Sequence, residues 1–193
     1  MAAAFSPEER ERIQNQLMQA ALEAIAAEST RQMTVEELAR RADISKGAFY
    51  HFYPGKEHLL LAALEEVHRQ MYGRAEKELE RQDADIHQRI RQALREVLRL
   101  AERYHTAAFL RDEFPLLIKR MPPAVVQQHY TSDEEHIRSL LQKAGIGLRT
   151  DVETLCATLR LLLLSQLVQK EAGLHYGQAV ELLLDGLCDR TLA

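Results

Sequence analysis

Glycine and proline are scarce in this 193-residue chain, at eight and five residues. No stretch alternates apolar with polar residues for the length of a strand, whereas apolar spacings of three and four recur throughout. The sequence therefore predicts an all-α fold. Long hydrophobic runs are also missing. The most apolar segment, "LRLLLLSQLV", is interrupted by Ser165 and Gln166 and falls short of the roughly 20 residues a membrane span needs. The opening "MAAAFSPEER" has no positive leader and no apolar run, so no secretory signal is expected, and a cytoplasmic protein without a membrane partner is. There are only two cysteines, Cys156 and Cys188. They lack metal-type spacing and stand among leucines, which reads as buried thiols. Positive charge is not in excess either: the net charge of −4 excludes a protein that coats nucleic acid by bulk attraction, so any DNA contact must come from a local patch.

What is present begins with legible helix starts. "SPEE" at 6–9 joins a serine cap, a proline at the first helical position and a glutamate at the third. "TVEE" at 34–37 and "TDVE" at 150–153 repeat the capping box. Helices are predicted over 7–28, 35–42, 45–53, 56–81, 86–104, 106–120, 123–144, 151–171 and 178–191. They are separated by "QDAD", by Pro122 and Pro123, by "GIG" at 145–147, and by Gly173 and Gly177. The short helix at 45–53 ends at Pro54, because the residue before a proline is pushed out of the helical region.

Aromatic residues are only 6% of the chain, yet Phe49, Tyr50, Phe52 and Tyr53 fall within five positions, between Lys46 and Lys56. A helix of about eight residues, the turn "ADIS" and a second short helix have the size and spacing of a helix-turn-helix. At 100° per residue, Lys46, Gly47, Tyr50 and His51 share one side of that second helix and Ala48, Phe49 and Phe52 the other. The apolar side is expected to be core. The outward side suits a nucleic-acid groove: a cation, two hydrogen-bonding rings, and a glycine that lets the backbone come close. Lys56 and the hydroxyl of Thr34 sit at other helix starts, where backbone N–H groups meet an anion. Residues 40–56 carry +3 from Arg40, Arg41, Lys46 and Lys56 against Asp43, within a first 57 residues that total −2.

The run "MTVEELARRADISKGAFYHFYPGKEHLL", preceded by "AALEAIAAEST", resembles the DNA-binding signature of the TetR family of bacterial repressors over about residues 13–64. The resemblance implies a recognition helix from Ser45 to Phe52, phosphate contacts from Thr34, Tyr50, His51 and Lys56, and an obligate dimer built on the last two helices. Ser29 departs from the glycine that usually ends the family's first helix, and Asp43 from a glycine common at the turn. Phe52-Tyr53 replaces the usual His-Phe or Tyr-Phe. Aspartate tolerates the left-handed conformation, so the turn at Asp43 is expected to stay intact.

The remaining chain reads as helical pattern. Val152, Leu155, Leu159, Leu162 and Gln166 form one stripe, with Leu161, Leu164 and Val168 off it; a last helix carries Val180, Leu183, Leu184 and Leu187. A helix apolar nearly all round is buried nearly all round, so these two helices are expected to pair about a two-fold axis. Helices at 86–144 are expected to enclose a ligand pocket from His105, Phe109, Arg111, Phe114, Met121, Gln128 and Tyr130. His129 and His136, seven residues apart, are two turns from each other and too distant to share a metal without outside ligands. "SDEE" at 132–135 reads as a solvated acidic surface. No carboxylate, serine or cysteine has a base partner evident from sequence, so no enzyme, catalytic residue, metal or cofactor is expected. The expectation is a DNA-binding head at 1–55 and an effector-binding and dimerisation domain at 56–193. Function would be that of a homodimeric transcriptional repressor, released from near-palindromic double-stranded operator DNA by a small-molecule effector. An activator on the same fold, or a helical ligand-binding protein or enzyme that does not bind DNA, are the alternatives these residues leave open.

Overall fold

The structure, a computed structural model, describes residues 5–191, so the first four residues of the stretch read as leaderless lie outside it. The elements are helices in the order α1 (Pro7–Ala26), α2 (Val35–Arg41), α3 (Lys46–Phe49), α4 (Lys56–Leu79), α5 (Ile86–Arg103), α6 (Thr106–Asp112), α7 (Phe114–Ile118), α8 (Pro123–Lys143), α9 (Val152–Leu164), α10 (Gln169–Ala172) and α11 (Tyr176–Thr191).

Of the three capping boxes expected, one forms in full. Ser6 and Glu9 form the full reciprocal box. Thr34 accepts from the Glu37 N–H, but the Glu37 carboxylate turns to Arg40 and Arg41 instead of completing the box. At α9 the cap is Asp151, one residue after the expected Thr150, because its carboxylate takes both the N–H and the hydroxyl of Thr154; a charged acceptor makes the stronger bond. Three helices end on a left-handed non-glycine residue. Asp43 does so at φ 54°, as expected. At the end of α1 the left-handed residue is Glu28 (φ 51°), not Ser29, whose N–H closes back on Ala24. His105 (φ 48°) turns the chain from α5 into α6.

Two expected helices are divided. Pro115 has no N–H to continue the ladder of α6, so 106–120 becomes α6 and α7 with a break at Glu113. The expected helix at 151–171 tightens into 3₁₀ turns at 165–168 and, after the short α10, at 173–175. Val152–Arg190 taken as one stretch is long and apolar enough to cross a membrane by length and composition, more than the ten-residue run promised. The continuous α9 is 13 residues long.

One continuous core joins Ile13, Leu17 and Ile25 of α1, Leu38 of α2, Phe49 of α3 and Leu59 to Met71 of α4 with Phe109, Phe114, Leu117 and Met121. Polar ties cross the same junction: Arg31 pairs with Glu113 and donates to the Asp112 carbonyl, Arg120 pairs with Glu57 at 2.9 Å, and His105 meets Glu28 at 2.7 Å. At the far end, Arg91 and Arg95 of α5 grip Glu181 of α11, and Arg91 also pairs with Asp185.

The stripe expected at a dimer interface faces inward. Val152, Leu155, Leu162, Leu184 and Leu187 are buried within the single chain, and Leu159 is half-buried. The Gln166 amide donates to the Leu98 carbonyl, and Val180 is half-buried. What the chain leaves outside is the other face: Leu161 (69% exposed), Leu182 (74%), Val168 and, from the expected set, Leu183 (56%). Periodicity identified two apolar faces; α5, α6 and α8 decide which is core, and nothing in one helix's own sequence encodes that choice.

Candidate functional site: a nucleic-acid face and a ligand cavity

Packing sets the orientation of α3. Phe49 is 0% exposed, with Tyr50 edge-on at 5.6 Å and Tyr53 at 6.1 Å between ring centroids. Phe52 is half-buried against Phe5, with the Arg10 guanidinium 5.1 Å from its ring centre. With these rings anchored, Thr34, Ser45, Lys46, Gly47, Tyr50 and His51 are all exposed on the surface of the helix-turn-helix. The α-helical part is one turn, shorter than expected. Ser45 caps it by accepting from the Ala48 N–H, and the chain then tightens through i→i−3 bonds at His51 and Phe52.

Lys56 has work inside the fold. Its Nζ donates to the carbonyls of Met33 (2.9 Å) and Thr30 (3.2 Å), so two of its three N–H groups hold the loop between α1 and α2. The positive charge counted along the sequence is also tempered in space. Lys46 pairs with Glu36, Arg40 with Glu37, and Arg41 with both Glu37 and Glu23. The Lys46 hydrogen bond holds the Glu36 carboxyl below its ordinary range, and Glu36 in turn raises Lys46. A phosphate approaching Lys46 therefore competes with a carboxylate. The count along the sequence missed this because Glu36 and Glu37 lie just outside the 40–56 window.

A cavity of about 190 Å³ lies between α4, α5, α8 and α9, larger than the engineered apolar cavity of about 150 Å³ that accepts benzene. Its walls are mostly aliphatic, including Met71, Leu94, Val97, Ile137 and Leu163. Of the seven residues expected to form it, Phe114 and Tyr130 do. Phe109 and Met121 are buried in the core instead. His105 is exposed and paired with Glu28, Arg111 is exposed and paired with Asp112, and Gln128 is exposed. The error is one of helical phase: the α6–α7 break re-aims the segment, and α4 and α9 supply walls that the 86–144 window left out.

The cavity also has a polar end that sequence reading missed. Asp133, expected on a solvated surface, accepts from the Tyr72 hydroxyl at 2.8 Å and meets His68 Nδ1 at 3.1 Å. Burial works against its charge, but His68, the charge of His129 and the Tyr72 hydroxyl outweigh it and hold the carboxyl below its ordinary value. Tyr72 is raised by burial and by Asp133. Cys156 is not a plain core thiol, for it lines this cavity with Glu134 and Arg160; burial first, then Glu134 and Asp133, push it up to about 11, so it stays a thiol at neutral pH. Cys188 is buried as expected. His129 and His136 do not act together: His136 stacks on Tyr72 at 5.2 Å, while His129 lies over His68 at 5.5 Å. The signal available in the sequence was His129 and Asp133 at i, i+4, with His68 and Tyr72 at the same spacing.

Comparison with known proteins bears on both regions. Residues 17–63 match the family model described as bacterial regulatory proteins, tetR family. No curated protein sequence matches the chain. Among solved structures, a TetR family transcription regulator from Marinobacter aquaeolei VT8 is similar over 97% of this chain and 99% of its own, with TM-score 0.63 and 18% identity. A TetR-family transcriptional regulator from Pectobacterium atrosepticum is similar over 95% and 94%, with TM-score 0.59 and 19% identity. The transcriptional regulator FadR from Bacillus subtilis, in complex with stearoyl-CoA, is similar over 89% and 97%, with TM-score 0.55 and 20% identity. Residues 17–63 thus belong to the tetR family of bacterial regulatory proteins by their match, and the whole chain shares the all-α fold of solved TetR-family transcription regulators.

Proposed function

We propose that the chain is a cytoplasmic, homodimeric transcriptional repressor that binds a near-palindromic operator and is released by a small apolar effector. The observation that carries this reading is the two-sided α3 segment: Phe49 fully buried, and Ser45, Lys46, Gly47, Tyr50 and His51 exposed together within the region that matches the family model. In this reading residues 1–55 form the DNA-binding head and 56–193 the effector and dimer domain. The head enters the major groove with α3, while Thr34 and the remaining donor of Lys56 meet phosphates. Dimer partners present their recognition helices about one helical turn, roughly 34–36 Å, apart. The dimer forms through the outward apolar face of α9 and α11, at Leu161, Leu182 and Leu183.

The effector enters the cavity. FadR in complex with stearoyl-CoA is an instance of the same fold holding a ligand with an acyl chain, and the aliphatic walls here support an apolar body for this chain's effector. Phe114 lines the cavity and its neighbour Glu113 holds Arg31 of the head, so a ligand that shifts Phe114 acts on the head through that pair. To weaken operator binding 100-fold, the effector must favour the released state by about 2.8 kcal/mol. The test is selection of genomic fragments by the purified protein at two salt concentrations. A shared inverted repeat, bound less tightly as salt rises, is the expected result; recovery of no DNA from protein freed of retained small molecules would refute the regulator.

A further inference from the structure

The polar end of the cavity holds a donor set that an apolar effector does not need. His68, His129 and Asp133 each offer one ligand atom, and the three atoms lie within 4.8 Å of one another. A metal at about 2.0–2.2 Å from nitrogen and oxygen ligands, as zinc takes in tetrahedral sites, separates them by only a little more than 3 Å. Here Asp133 Oδ1 is 3.1 Å from His68 Nδ1, and Asp133 Oδ2 is 3.8 Å from His129 Nε2. Small rotations of the side chains close that difference.

The surroundings of the three residues are those of a held ligand set. The His129 ring is 4% exposed and stands between two carboxylates, its Nδ1 3.6 Å from Glu65 and its Nε2 3.8 Å from Asp133. With Nε2 on a cation, Nδ1 is left to donate towards Glu65, the carboxylate–histidine arrangement that orients metal ligands and sharpens their basicity. The Tyr72 hydroxyl likewise fixes the Asp133 carboxylate at 2.8 Å. Both helices present their donors from a rigid frame: His129 and Asp133 are i, i+4 on α8, and His68 faces them from α4.

We propose that His68, His129 and Asp133 form a binding site for one first-row divalent transition metal of zinc type, with its remaining coordination position turned into the cavity. Two imidazoles and one carboxylate make a three-ligand set that keeps a position open, and all three residues line the cavity wall. That open position would accept a ligating head group, an anionic oxygen or a thiolate, on a molecule whose apolar part fills the aliphatic walls.

The site is testable without an operator, so its failure and that of the DNA-binding reading are separate results. Full-length protein is stripped with a chelator and dialysed. It is then titrated with Zn²⁺ by calorimetry and with Co²⁺ by visible absorption, where low-symmetry coordination gives intense bands. One equivalent per chain is expected, with a rise in melting temperature on Zn²⁺ addition. Asp133→Asn and His68→Gln should abolish the saturable phase. Glu65→Gln, at an exposed carboxylate whose change leaves folding intact, should weaken it about 10- to 100-fold. Absence of saturable binding by the wild-type protein overturns the proposal. So does binding of unchanged strength in folded Asp133→Asn, His68→Gln and Glu65→Gln variants, which would place the cation elsewhere.

Discussion

Replacing Phe49 by alanine tests the packing of the head and the orientation of its DNA-facing side together. The ring is fully buried and touches both Tyr50 and Tyr53. Burial of such a side chain contributes about 1.5–3 kcal/mol by transfer alone. The cavity left behind raises the typical loss for Phe→Ala to about 3–5 kcal/mol. In a chain of this size each kcal/mol moves the midpoint by roughly 2–4 °C, so Phe49→Ala should melt on the order of 10 °C below wild type. Tyr50→Ala is the control one residue away. Tyr50 is 51% exposed, so its removal costs chiefly the edge-on contact with Phe49, about 0.5–1.5 kcal/mol for such a pair, yet it takes a ring and a hydroxyl from the proposed interface. Thermal denaturation by circular dichroism and operator binding by fluorescence anisotropy should then separate the two. Phe49→Ala loses stability and DNA binding together, and Tyr50→Ala loses DNA binding with a much smaller drop in melting temperature. A Phe49→Ala protein that melts within a degree or two of wild type would refute the assignment and rotate α3 by half a turn.

Glu36→Gln releases Lys46 from its carboxylate partner and should raise affinity for DNA of any sequence while steepening its decline with salt, as read by binding at two ionic strengths; no change would mean Lys46 does not meet phosphate. Leu161→Glu with Leu182→Glu, both on the exposed face, should turn a dimer into a monomer in sedimentation without unfolding it, whereas a persisting dimer would place the interface elsewhere. Glu181 is held at about 2, first by the Arg95 hydrogen bond and then, against the effect of burial, by Arg91. A depressed carboxyl contributes stability above its unfolded value of about 4.3 that is lost as pH falls towards 2. Glu181→Gln should accordingly be less stable than wild type at neutral pH, with the gap closing between about pH 4.5 and 2; a constant gap across that range would point to packing instead of charge.

The sequence was most informative where local chemistry decides the outcome. Caps and prolines marked most helix starts but not the breaks at Phe49, Glu113 and Leu164, and Asp43 adopts the left-handed turn its side chain permits. The exposed set on α3 was also legible, because Ala48, Phe49 and Phe52 share the arc facing away from Gly47, Tyr50 and His51, and only one of the two arcs can be buried. Legibility stopped where two elements must meet. Whether Leu162 or Leu161 is core depends on where α6 and α8 approach α9, and both belong to apolar stripes of similar strength. Asp133 looked like part of an acidic surface run until His68 and Tyr72, more than sixty residues earlier, were placed against it. Lys56 stands at a helix start that suits an anion contact, and the carbonyls of Thr30 and Met33 that it also holds come from a loop whose path no periodicity describes.

The shared core between the head and α6–α7 bears on how such a chain can be re-engineered. A fusion that transplants residues 1–55 onto another body would carry Arg31 and Glu28 without Glu113 and His105, and would strip Phe109, Phe114, Leu117 and Met121 from the cluster that includes Phe49 and Leu38. The seam for exchanging specificities therefore runs in space and not at one peptide bond. A chimera built to report a new compound must bring the α6–α7 segment along with the DNA-reading part, or rebuild those pairs in the host.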